Sequence, residues 1–175
     1  PSSNLSTGVH SITAVQIDLA GNFSPESGAL TVNFDIDPPY VILVDDPSFS
    51  LNDNGEYTLS PDDLVQFVSD NVSSIVNIIG QVDRGNYSCA DLGEQNPTLL
   101  HTDEAGNTDS RIVTMTIIDD KPPVISAKSS ITLNVDAFGS VTLTPAMIDE
   151  GSYDNCGIQS QVLSQTLFDR TDEGV

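Results

Sequence analysis

The chain has 175 residues and a formal net charge of −21, with five Lys and Arg against 26 Asp and Glu. Nucleic acid and anionic membrane surfaces are excluded as partners, because neutralising phosphates needs clusters of Lys and Arg that this chain lacks. No run approaches the ~18–20 consecutive apolar residues of a membrane-crossing helix, so no membrane insertion is expected of this segment.

The predicted elements are mostly strands. Residues 10–18 (HSITAVQID) alternate apolar and polar side chains, as a half-buried strand does. A tight turn, Asp18-Leu19-Ala20-Gly21-Asn22, leads to a second alternating run at 29–36 (ALTVNFDI), and the two read as a hairpin. After Pro38-Pro39 comes an opening strand at 40–44 (YVILV), then short strands at 49–51 and 57–59. Asn52-Asp53-Asn54-Gly55 joins them and reads as a hairpin turn; it lacks the downstream bidentate Glu of a calcium loop. Residues 61–68 are predicted as a short helix, with Ser60 as N-cap, Pro61 at the first position and Asp62 and Asp63 in the first turn. Strand resumes after Asp70. A further hairpin, 98–102 with 112–118, flanks Asp103-Glu104-Ala105-Gly106-Asn107. The pattern then restarts: 124–127 opens, Asp136-Ala137-Phe138-Gly139 joins 131–135 to 140–143, and 145–148 follows Thr144 as a helical turn.

These elements repeat. Asp35-Ile36-Asp37-Pro38-Pro39 returns as Asp119-Asp120-Lys121-Pro122-Pro123, 84 residues later. LSPDDLVQFVSDN from Leu59 returns as LTPAMIDEGSYDN from Leu143, again 84 residues on, and the Asp18 turn returns at Asp103 with an offset of 85. The spacing predicts a tandem array. One complete unit spans 38–120, preceded by the C-terminal half of a repeat (1–37) and followed by the N-terminal part of the next (121–175), so both ends read as cut. About seven short strands per unit with no long helical period predict an all-β fold of tandem immunoglobulin-like Greek-key β-sandwiches in an elongated array. The paired prolines suit semi-rigid linkers.

No nucleophile elbow, phosphate loop, zinc spacing or dinucleotide fingerprint is present, and an enzyme is not expected. His10 and His101 read as one structural position met twice, each before an equivalent turn. The acidic residues are more informative, since Ca²⁺ takes six to eight oxygen ligands and loops supply them. Three sets qualify. The linkers hold Asp35 and Asp37, then Asp119 and Asp120, with Asp45-Asp46 following the strand. The turns hold Asp18 and Asn22, then Asp103, Glu104 and Asn107. The third set is Asp70-Asn71 or Asp154-Asn155, with Asp62-Asp63 or Asp149-Glu150 upstream. Each set has a plainer alternative: Asp and Asn form turns through side-chain to backbone hydrogen bonds, and a distributed acidic load also keeps a surface solvated.

The stretch YDNCGIQSQVLSQTLFD at 153–169, with LTPAMIDEGS before it, resembles the HYR-like immunoglobulin-type repeats of giant bacterial surface proteins, including adhesins of gliding bacteria. The resemblance covers most of the chain from Pro38 onward. It implies a structural stalk or adhesin segment of a large secreted or bacterial cell-surface protein, with calcium stiffening the linkers. Neighbouring repeats would be its partners, and a surface glycan or protein would be bound through other domains. The alternatives are a glycan- or protein-binding module, or accessory repeats of a secreted hydrolase. The chain departs from the family pattern at its cysteines. Val72 stands where the third unit has Cys156, and Arg170 where the second has Cys89. The pair therefore reads as two separate small thiols, with a bridge between neighbouring units as the alternative.

Overall fold

The structure is a computed structural model and describes residues 5–172. Strand outweighs helix, at 36% against 10% of residues, so the protein is mostly β. The described residues divide into two compact units: 5–48, Thr58–Asn86 and Glu94–Thr116 in the first, and Phe49–Tyr57, Tyr87–Gly93 and 117–172 in the second.

In chain order the first strands are β1 (Gly8–Ile12), β2 (Leu30–Phe34), β3 (Tyr40–Leu43), β4 (Ser48–Ser50) and β5 (Glu56–Thr58). They are followed by β6 (Val65–Ser69), β7 (Ile79–Val82), β8 (Asn86–Ser88), β9 (Gly93–Gln95), β10 (Thr98–Thr102), β11 (Thr108–Ile112) and β12 (Met115–Ile118). After these come β13 (Ser140–Thr142), a single helical turn α1 (Pro145–Ile148) and β14 (Leu167–Asp169).

The alternation of the first two predicted strands is used directly. β1 and β2 pair antiparallel from Gly8↔Phe34 to Ile12↔Leu30. Backbone bonds from Ser27 to Ala14 and from Ser24 to Gln16 continue the pairing to the Asp18 turn. β10 is the centre of a three-stranded sheet between β11 and β7, and β3 pairs with β6 around a bulge at Ile42/Leu43. Val41, Leu59, Leu64, Leu99, Val113 and Met115 form the buried core of the first unit. In the second unit Leu51, Tyr87 and Ile117 are buried and the rings of Phe49 and Tyr57 stack at 4.8 Å.

Three expectations need correction. The helix predicted over 61–68 is one 3₁₀ turn, Pro61–Leu64. Its cap is as read: Asp63 Oδ2 accepts from the Ser60 N–H at 2.8 Å while Ser60 Oγ accepts from the Asp62 N–H. Val65, Phe67 and Val68 then favour extended backbone and pair with β3, which ends the turn. The strands around Asn52–Gly55 do not pair with each other: β4 joins β12, whose other neighbour is β9, and β5 joins β8. The turn therefore changes sheets. Asn52 Oδ1 holds it by accepting from the N–H groups of Asn54 and Glu56.

His10 and His101 also occupy unlike places. His10 lies within β1, opposite Val32, while His101 lies in β10, opposite Asp109 and Gly80. The 85-residue offset sets His101 level with Gln16 and His10 level with Gln95. His101 is buried, and burial pushes its imidazole below the ordinary range despite Asp109 and Asp62 nearby.

Finally, Cys89 and Cys156 are not separate thiols. They form a disulfide with a Cα–Cα distance of 5.3 Å, closing 67 residues of chain. Counting cysteines unit by unit hid the pair, because each unit supplies one partner. The bridge is accommodated by Gly55, whose φ of +72° and missing side chain leave room for Cys89 Sγ and the Asn155 carbonyl.

Candidate metal centre

Three strand ends converge in the first unit. Asp35 follows β2, Asp70 follows β6 and Asp103 follows β10. Each carboxylate offers an oxygen, and the three oxygens lie within 4.8 Å of one another. Every one of these side chains is aimed by its own turn. Asp35 Oδ1 accepts from the Asp37 N–H at 3.2 Å. Asp70 Oδ1 accepts from the N–H groups of Val72 and Ser73 at 2.8 and 2.6 Å. Asp103 Oδ1 and Oδ2 accept from the backbone and side-chain amides of Asn107 at 2.8 and 2.9 Å. The turn bonds leave Asp35 Oδ2 and Asp70 Oδ2 buried without a hydrogen-bond partner. Orphaned buried carboxylate oxygens are costly and call for a counter-charge.

The electrostatics agree. Burial, more than any other influence, raises the Asp35 carboxyl above its ordinary value, and the charges of Asp70, Asp103 and Asp37 add to the rise against the Asp37 N–H bond. At Asp70 burial is again the largest single influence and pushes upward. The N–H groups of Ser73, Val72 and Asn71 together outweigh it and hold the carboxyl below the ordinary range. An ion about 2.4 Å from each oxygen spans ligand separations up to about 4.8 Å, which is the geometry of a hard, oxygen-seeking cation such as Ca²⁺. An all-carboxylate set of this kind does not suit Zn²⁺, which prefers His and Cys.

A ring of polar contacts surrounds the trio. Asn71 donates to Asp37 Oδ2 at 2.9 Å, and buried Ser73 accepts from the Glu104 N–H at 3.2 Å. Asn77 donates to Glu104 Oε2 at 3.1 Å.

The other residues singled out in the sequence serve elsewhere. Asp18 uses both oxygens on its turn: Oδ1 accepts from Ala20 and Asn22, and Oδ2 from the Asn22 side chain. Those bonds hold its carboxyl below the ordinary range, the Asn22 side-chain bond most of all. Asp119 Oδ1 accepts from the Lys121 N–H at 3.1 Å, the bond Asp35 makes with Asp37. Asp120 Oδ2 accepts from Ser50 Oγ at 2.9 Å, and Asp154 Oδ1 from the Cys156 N–H at 2.8 Å. Lys121, where the earlier linker has Asp37, reaches Asp53 at 2.8 Å. Among the described residues, the trio is the one group of three carboxylates whose ligand atoms meet in this way.

Each member was legible in the sequence, but in a different set: one in a linker, one in a turn, one after a strand. The missing signal was their position, each just beyond the last residue of a strand. No protein-family model matches the chain, and no curated protein matches it.

Proposed function

We propose that this chain is a segment of a structural stalk or adhesin, built from tandem immunoglobulin-like sandwiches of a large secreted or cell-surface protein and stiffened by Ca²⁺ at the junctions between modules. The modules are 1–37, 38–120 and 121–175. One observation carries the reading: Asp35, which leads into Pro38-Pro39, meets Asp70 and Asp103 of the following module with two carboxylate oxygens left unpartnered. Recurrence adds support. The turn bonds at Asn52 are repeated at Asp136, those at Asp18 at Asp103, and the Ser88–Asp91 bond at Asp169–Asp172.

The mechanism is mechanical. Without an ion the three carboxylates repel and favour separation of the linker from the loops. With Ca²⁺ they become ligands of one centre, and the linker loses freedom at a point where Pro38 and Pro39 already restrict it. The cores do not depend on the ion, so chelation should loosen the junction without unfolding the modules. Small-angle scattering tests this. Ca²⁺ should lengthen and stiffen the chain and chelator reverse it. A profile indifferent to both contradicts the reading.

A further inference from the structure

The chain carries two open apolar faces that match each other. In residues 38–120, Val41 and Leu51 stand near the start, Met115 near the close, and they are 2%, 1% and 1% exposed. The residue 84 places after Val41 is Ile125, 82% exposed, and the one 84 after Leu51 is Val135, 40% exposed. The residue 85 places before Met115 is Leu30, 63% exposed. Ile125 borders a cavity of about 200 Å³ that Val124, Ile148, Ile158, Val162 and Leu163 also line. Residues that are core in the central stretch are thus uncovered in both of its counterparts.

The strand edges show the same incompleteness. β12 lies between β4 and β9. Its counterpart β2 pairs with β1, the counterpart of β9, and lacks a second neighbour. The counterpart of β4, residues 132–134, forms no ladder. β10 likewise lies between β11 and β7. Residues 13–17 correspond to β10, and 160–163, corresponding to β7, are extended but unpaired. An unpaired edge beside an uncovered apolar face is a template for strand addition.

We infer that residues 5–34 of one copy dock onto residues 121–172 of a second copy of this chain, β2 against 132–134 and 13–17 against 160–163. The inference rests on the modular reading. A second copy is the fitting occupant because the face on 121–172 corresponds to one buried in 38–120, where the closing stretch is 94–118. Residues 9–33 are this chain's other version of that stretch. The two patches differ, so the contact is heterologous and adds copies head to tail without closing. Like charges on the acidic chain oppose it. Three of the five basic residues, Lys121, Lys128 and Arg170, lie on the receiving half, and added salt should strengthen association.

Sedimentation velocity of the full chain, from micromolar to millimolar, tests the docking. The mass should climb past the dimer. Leu30→Asp and Ile125→Asp each disable one half of the contact, and both sites are exposed, so the chain's own packing is spared. Each variant alone should stay monomeric, while their equimolar mixture should stop at a dimer, since each retains the half the other lacks. A monomeric wild type, association that survives either substitution, or a mixture that stays monomeric overturns the docking. Hydrogen exchange over 38–120 separates this failure from that of the modular reading. Protection of that stretch in a monomeric chain leaves the module standing, and its absence removes both.

Discussion

After β6, Asp70 Oδ1 accepts the N–H of Val72; 84 residues on, Asp154 Oδ1 accepts that of Cys156. Before each turn a linker Asp, Asp35 or Asp119, accepts the N–H two residues ahead. From this shared start the two regions diverge. The first gathers Asp35, Asp70 and Asp103 around unpartnered oxygens. The second replaces Val72 by Cys156 and ties it to Cys89, while Lys121 takes the place of Asp37 and pairs with Asp53. One backbone frame thus carries two fastenings, one ionic and open to regulation by solution, the other covalent. The difference teaches that the fastening is set by a few side chains on turns whose shape is independent of it.

Breaking the covalent fastening should have the largest effect. A bridge closing 67 residues removes chain entropy worth roughly 4 kcal/mol in the loop-closure treatment. Reduction, or Cys89→Ser with Cys156→Ser, should lower stability by about that amount. Hydrogen exchange should rise over 131–172 and stay unchanged over 30–37. Equal loss in both regions would erase the contrast between them.

The glycines sharpen the comparison. Gly55 and Gly139 hold equivalent turns with φ of +72° and +84°. A Cβ at Gly139 would meet the flexible Arg170 side chain, with Nε at 2.9 Å, whereas at Gly55 it would meet Cys89 Sγ and the Asn155 carbonyl, each at 2.6 Å. Gly139→Ala should cost roughly 1 kcal/mol for the left-handed backbone alone. Gly55→Ala should cost about 2 kcal/mol more, because a bridged sulfur and a backbone carbonyl cannot swing aside. Chemical denaturation of the two variants checks the difference.

Much of this was written in the alternation of the chain and some was not. Residues 29–36 show their strand because every second side chain is apolar, and Asp18 shows its turn because Gly21 follows. Residues 61–68 misled because capping signals at Ser60, Pro61 and Asp63 are local, while the pairing of Val65, Phe67 and Val68 with β3 is not. Asp35, Asp70 and Asp103 were each visible as oxygen donors, yet spacing along a chain does not say which strand ends meet. The bridge was hidden for the same reason. Val72 and Arg170 break the symmetry within each unit, and the partner lies across the repeat.

The smallest effect expected is that of pH on the ionic region. With no calcium, Asp35 keeps its proton above the ordinary value of 3.8 in the folded chain. Its contribution to stability is complete below 3.8 and is lost as pH rises through the raised folded value. Asp70 acts in the opposite sense: its contribution is present above 3.8 and is lost as pH falls through its lowered folded value. Asp35→Asn should therefore remove the response above 3.8 and keep the one below. Melting curves in chelator across acidic pH read both, and a loss of the lower response instead would misassign the groups.

The central claim is that one cation binds Asp35, Asp70 and Asp103, and calorimetric titration of the chelator-treated chain with Ca²⁺ addresses it directly. Asp70→Asn is the matched control, since an amide oxygen can still accept the Val72 and Ser73 N–H groups while the negative charge is gone. The chain should bind Ca²⁺ at this site, Asp70→Asn should weaken binding about tenfold or more, and the cysteine-free variant should bind as the original does. No binding by the unaltered chain, or equal binding by Asp70→Asn, would contradict the account.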